Sequence, residues 1–422
     1  MLALSLVAAA CGDDDDASDA TDTPAASDAP AGTDAATATT EAAATTDAPA
    51  DTEAPGDTEA PDDTEAPDDT GGAAPVDCEA TDPVKLQLQW STQAQFAGYF
   101  AADDQGFYAD QCLEVELIET SVDVVPQQVL ADGQVDFAIA WVPKALATRE
   151  AGADIVNIAQ IFQRSGTLQV SFVDAGITTP ADFAGKNIGN WGFGNEYEVF
   201  AALGEAGLDP ATDVNLVGQD FNMNGLLSGD IDAAEAMTYN EYAQILEAVN
   251  EETGELYTPE DFNVISYEEA GVGMLQDALW ADGAKLADDP AYKDIATRFV
   301  AASIQGWAYC RDEPESCRDI VVAAGSQLGD SHQLWQMNEV NKLIWPSVGG
   351  IGMMDEEAWD RTVEIAQNTP NLEGATVLTA PPTEGAYTTE IVEAAIALLG
   401  DTVDTVGEGF EPIEVTLEEG GA

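Results

Sequence analysis

From Val84 onward the chain alternates between two hydrophobic periods. "VKLQLQW" (84–90) repeats with period two and ends on Trp90, which predicts a strand. "CLEVELIE" (112–119) does the same, with Leu113, Val115 and Leu117 on one face. "VVPQQVLADGQ" predicts a short helix closed at Gly133, and "VDFAIAW" a buried strand ending at Trp141, with Pro143 opening the next helix. "DIVNIAQIFQ" and "TLQVSFVD" predict two more strands. A second alternating block starts near Thr179. It reads helix, strand, glycine-rich turn and a helix ending before Pro210, then the strand "DVNLVG", the helix "MNGLLSG" and the strand "DIDAAEAMTY". Past about Tyr267 a spacing of three and four predicts mostly helices, notably "AYKDIATRFVAASIQGWAYC" and "HQLWQMNEVNKLIW".

Alternation, a break, more alternation and a helical finish predict an α/β fold of two lobes, each a mixed sheet flanked by helices. The second lobe, 179–269, is inserted into the first, which is built from 78–178 and 270–422. Two such lobes joined by crossover segments enclose a ligand cleft that closes by hinge motion.

Composition changes the picture mainly before residue 78. "MLALSLVAAAC" places nine apolar residues and one serine before Cys11, too short to cross a bilayer and suited to a signal peptide. The pattern resembles a bacterial lipoprotein signal (1–11), with Cys11 lipidated. Residues 12–77 hold no Lys or Arg and repeat "DTEAPG", "DTEAPD", "DTEAPD"; such a segment is expected to be a disordered acidic linker. The expected location is extracytoplasmic, anchored to the cell membrane. With 80 acidic and 12 basic residues, a net charge of -68, the chain offers no basic footprint for nucleic acid. Four further cysteines fit an oxidising compartment. Cys310 and Cys317 could staple two helices across a short turn, leaving Cys78 and Cys112 as the long-range pair. No spacing suggests a metal site, and no cofactor is expected.

Ligands of α/β sheets sit beyond the C-terminal strand ends. Trp90, Trp141 and Trp191 fall at such ends, Phe193 follows Trp191, and Tyr239 follows the strand "AAEAMT". Together they suit a flat ring, held by stacking of about 0.5–1.5 kcal/mol per pair. Polar residues cluster beside them: Gln93 and Gln95 with Tyr99, then Gln163, Asn195 with Glu196, and Asn240 with Glu241. Amides both donate and accept, as reading a heterocycle edge requires. Ordinary sheet-edge packing accounts for any one of these aromatics, and helix capping for the Asn and Glu residues; the set as a whole favours a ligand. "GNWGFGNE" lacks the spacing of a nucleotide loop. Lys144 and Arg164 are expected in ion pairs with neighbouring acids, the alternative being contact to a ligand phosphate or carboxylate, and the single histidine, His332, as a helix cap or packing residue. No nucleophile elbow or triad order is visible, so no catalytic residue is assigned.

The stretches "LQWSTQAQFAGYFAADDQGFYADQCLEVEL", "GQVDFAIAWVPKALATREAGADIVNIAQIFQRSG", "ITTPADFAGKNIGNWGFGNEYEVFAALGEAGLDP" and "GDIDAAEAMTYNEYAQIL" resemble ABC-importer substrate-binding proteins of the thiamine-pyrimidine family, relatives of taurine and nitrate binders. The resemblance covers roughly 84–370. It implies a type II periplasmic-binding-protein fold, a monomer that hands its ligand to a membrane permease driven by a separate ATPase, and no enzymatic activity. "WSTQAQFAGYF" stands where pyrimidine binders carry W-x-P-N-x-x-H-x-G, with Gln93 and Phe96 replacing the Asn and His. "QAQFAGYF", "SGTLQVSF", "WAYCRDEPESC" and "HQLWQMNEVNKLIWPSVGGIGMMD" are more similar to the riboflavin-binding branch. By this resemblance Trp90, Gln93, Gln95, Trp141, Trp191, Asn195, Tyr239 and Asn240 would contact riboflavin; an aminopyrimidine is the alternative. A pyrimidine synthase shares the fold, but its cysteine-rich iron motif has no counterpart here.

Overall fold

Five strands form the first sheet, in the order β2-β1-β3-β10-β4, from β1 (Asp82–Gln87), β2 (Leu113–Ile118), β3 (Phe137–Trp141), β4 (Ile155–Gln160) and β10 (Asp277–Asp282). This computed structural model describes residues 78–121 and 124–421, all within one unit of the chain, Gly71–Ala422. The expected signal peptide, Cys11 and the expected acidic linker lie outside the described residues.

β1 runs parallel to β2 and β3, whereas β10 is antiparallel to both of its neighbours. β1 shows the alternation of a strand with one buried face, Val84 and Leu86 turned inward and Lys85 outward. β3 and β10 are covered on both faces and read as continuous apolar runs. That explains a departure from the expected pattern. "DALWAD" falls in the stretch where the spacing predicts mostly helices, yet it is a central strand, because a short unbroken apolar run carries no period.

The second lobe holds β5 (Thr167–Phe172), β8 (Ala234–Met237) and β9 (Phe262–Ser266) in the order β8-β5-β9, all antiparallel. The parallel pair β6 (Asn187–Asn190) and β7 (Asn215–Gly218) lies beside it, joined through the bridge Ile188–Ala233. β5 therefore belongs to the second lobe, not to the first as a boundary at 178/179 required. The chain crosses out at 161–166 and returns at 267–276. Gln276 ties these crossings together: its Nε2 donates to Thr167 Oγ1 at 2.8 Å, and its Oε1 accepts from the Gly166 N–H at 2.9 Å.

Behind the first sheet the helix Pro290–Asp312 packs on Ala97–Asp104. The approach is close enough that a Cβ on Gly306 would collide with the Gly98 carbonyl, and one on Gly98 with the Trp307 ring. Disulfides Cys78–Cys112 and Cys310–Cys317 are both formed, the second buried where two helices meet.

Candidate functional site

A cleft of about 870 Å³ opens between the two lobes. The first lobe contributes Trp90, Gln93, Gln95 and Trp141, and the second contributes Trp191, Phe193, Asn195, Tyr239, Asn240 and Glu241. The strand-end rule thus brings ten expected residues to one cavity. Three others fall elsewhere. Glu196 lies outside the lining and accepts from the Gly194 N–H at 2.8 Å. Tyr99 points into the first-lobe core, where its ring meets Trp307 edge-on at 5.6 Å. Gln163 is spent on the backbone, its Nε2 bonding the carbonyls of Gln160 (2.5 Å) and Met353 (3.2 Å).

The amides beside Trp90 converge on a carboxylate that the sequence did not single out. Asp277 opens β10 directly opposite Trp141 on β3. Its Oδ1 accepts from Gln89 Nε2 at 2.5 Å and from Trp141 Nε1 at 2.9 Å, and its Oδ2 from Gln95 Nε2 at 3.0 Å. Gln93 Nε2 in turn donates to Gln95 Oε1 at 2.6 Å. Burial pushes the Asp277 carboxyl up to about 7, against the pull of these three donors and of the Lys144 charge. The network locks the rotamers of Gln95 and Trp141, which preorganises this wall of the cleft.

Lys144 sits in the helix Val142–Glu150, its Nζ 4.7 Å from the centre of the Trp141 ring and 2.7 Å from Asn195 Oδ1 across the cleft. Burial lowers it to about 8, while Glu235, Glu196 and Asp277 oppose that. It makes no ion pair among the described residues, contrary to expectation. Nor does Arg164, whose guanidinium reaches the carbonyls of Lys342, Leu343, Trp345 and Pro346 and so caps the C-terminal end of the helix Asp330–Ile344.

Phe221, another residue not anticipated, lies in the loop after β7. It stacks on Trp191 (5.9 Å between centroids, 20° between planes) and meets Trp90 of the other lobe at 5.0 Å. It obeys the same rule as the expected aromatics, since it too follows a strand end. Trp191 is nearly buried, and its indole N–H has no partner among the described residues. An orphan donor of that kind costs about 1–3 kcal/mol unless an acceptor arrives. Phe193 is at the rim, 90 % exposed, with φ of 55° between Gly192 and Gly194. The glycines take positive φ themselves, which lets the three residues form a tight turn in the cleft mouth.

Glu241 and Asn240 close the second-lobe side. Glu241 Oε2 accepts from the Met237 N–H at 3.0 Å and Oε1 from Asn240 Nδ2 at 2.9 Å. Burial raises the Glu241 carboxyl, and these bonds together with nearby His332 draw it down.

A family model described as NMT1/THI5 like matches residues 93–317, more than half of the chain. The chain belongs to the NMT1/THI5-like family. Among curated relatives, this member is 21% identical over 295 residues to a formylaminopyrimidine-binding protein of Halalkalibacterium halodurans, covering 68% of the chain and 85% of that protein. It is 25% identical over 321 residues to the riboflavin-binding protein RibY of Chloroflexus aurantiacus, covering 73% of the chain and 86% of that protein. Among solved structures, the periplasmic aliphatic sulphonate binding protein SsuA of Escherichia coli superposes with a TM-score of 0.51 at 15% identity, over 68% of this chain and 90% of that one. At that identity the likeness speaks to the fold alone, which is that of the periplasmic binding proteins.

Proposed function

We propose that this family member is the extracytoplasmic solute-binding component of an ABC importer, and that its cleft captures a flat aromatic heterocycle, riboflavin. The observation that carries the reading is the cleft itself. Trp90 and Trp141 on one wall face Trp191, Phe221 and Tyr239 on the other, and Lys144 is the one cation among the lining residues. That surface suits a neutral, extended π system better than an anion. Its volume of about 870 Å³ lies in the upper part of the ~300–1,000 Å³ range of small-molecule sites, roomier than a single pyrimidine ring needs. Ligand bridging both walls favours the closed form, which a permease with a separate ATPase would recognise. Lipidation at Cys11 would hold the protein, as a monomer, at the membrane. The role is binding and release, with no catalytic step.

A second reading, an aminopyrimidine as ligand, is favoured by Glu241, whose carboxylate in the cleft could accept from an exocyclic amino group.

Titrating the full chain with riboflavin, while following flavin and tryptophan fluorescence, tests the proposal, with an aminopyrimidine in parallel. Saturable quenching at micromolar concentrations or below, lost in Trp90→Ala, is expected. A response to the pyrimidine alone would move the assignment to the second reading, and silence with both would remove both ligands.

A further inference from the structure

His332 is the chain's single histidine, and it is fully buried on the helix Asp330–Ile344. Its Nδ1 lies 3.0 and 3.1 Å from the two carboxylate oxygens of Glu247, and its Nε2 lies 3.0 Å from Asn240 Oδ1. Asn240 and Glu247 bracket the short helix Glu241–Leu246 and are seven residues apart, hence on one face of it. Asn240 turns its other atom, Nδ2, to Glu241 at 2.9 Å. A continuous hydrogen-bonded line therefore runs from Glu247 through His332 and Asn240 to a carboxylate in the ligand cleft.

The direction of the inner bonds follows from the amide. Asn240 gives its Nδ2 to Glu241, which leaves its Oδ1 facing His332 Nε2, and an amide oxygen only accepts, so Nε2 donates. Without a donor at Nε2, the Asn240 amide loses one of the two partners that fix its orientation, and its hold on Glu241 loosens.

We propose that His332 is a positioning residue of the cleft: through Asn240 it holds Glu241 as a hydrogen-bond acceptor, so that the site selects rings presenting an N–H edge. This rests on the reading of the cleft as a heterocycle site. Glu241 spends one bond on Asn240 and one on the Met237 N–H, and a carboxylate with about four lone-pair sites keeps room for a ligand donor.

Two measurements test it. With a single histidine, ¹⁵N-histidine labelling of the full chain yields ring-nitrogen signals that need no assignment. Nε2 is expected to carry a hydrogen in the free protein. Second, riboflavin is compared with its N3-methyl analogue, which lacks the N–H. The wild type should favour riboflavin by about 5- to 150-fold, the range for one unmet buried polar group. The ratio should fall towards unity in His332→Leu and be partly restored in His332→Gln, which keeps a donor. An Nε2 without its hydrogen overturns the proposal, as does an unchanged ratio in a folded His332→Leu variant. If the wild type ignores riboflavin, the ligand assignment falls instead, and the ring-nitrogen signals alone decide the role of His332.

Discussion

Replacing Asp277 with Asn should change how the protein responds to pH more than it changes the fold. Asp277 is 3 % exposed, and burial lifts its carboxyl from the ordinary 3.8 to about 7. A folded value above the unfolded one means that the native state holds the proton more tightly. The associated stability is complete below the unfolded value and is lost as pH rises through the folded value. A displacement of about three units corresponds to roughly 4 kcal/mol between those limits, and about 2 kcal/mol of it should disappear between about pH 5 and pH 7. Asn has a similar shape, can still accept from one amide through its oxygen, and does not titrate.

Urea unfolding of both proteins at fixed ionic strength, at steps from about pH 5 to about pH 8, isolates the effect. Glu198 is also buried and lifted to about 7, and the large acidic surplus repels itself more as pH rises, but both contributions are common to the two proteins. The wild type should therefore hold a larger advantage over Asp277→Asn in acid than at alkaline pH, with the gap narrowing by about 2 kcal/mol or more. A difference that stays flat within the extrapolation error would show that Asp277 is ionised at little cost. The three donors from Gln89, Gln95 and Trp141 would then outweigh burial.

Further outcomes follow from the same geometry. Phe221→Ala removes an exposed ring that touches both Trp90 and Trp191, so it should weaken riboflavin binding by about 2- to 10-fold, as expected for one lost stacking pair, while leaving the melting temperature within a few degrees. Equal affinity in titration calorimetry would remove Phe221 from the ligand path. Opening the disulfide Cys78–Cys112 by paired serine substitution should cost about 4 kcal/mol on chain-entropy grounds, against about 2 kcal/mol for Cys310–Cys317, because 34 residues separate the first pair and 7 the second. Denaturant midpoints of the two double variants would reverse in order if burial of Cys310 and Cys317, rather than loop length, sets the cost.

What could be read from the chain alone depended on whether a segment's burial left a period. Strands with one solvated face, such as β1 and β2, announce themselves by alternation, and the aromatics at strand ends followed from the general rule for α/β sheets. β10 carries no such signature, because β3 and β4 flank it and helices cover it, and every residue from Asp277 to Ala281 is buried. Missing that strand also hid Asp277, the residue on which Gln89, Gln95 and Trp141 converge. The amides at Gln93 and Gln95 could therefore be recognised as unusual, but their partner is 182 residues away from Gln95 in the chain and visible only once β10 is placed beside β3. Lys144 and Arg164 escaped for a related reason. Scarcity of cations in so acidic a chain argues for ion pairs, yet a helix end offers Arg164 four carbonyls, and the Trp141 ring with Asn195 offers Lys144 a seat that no local pattern encodes. Tyr99 shows the converse. It shares a stretch with the true cleft residues, but the helix Ala97–Asp104 turns its ring towards Trp307, so nearness in sequence stops predicting nearness to ligand as soon as the backbone begins to coil.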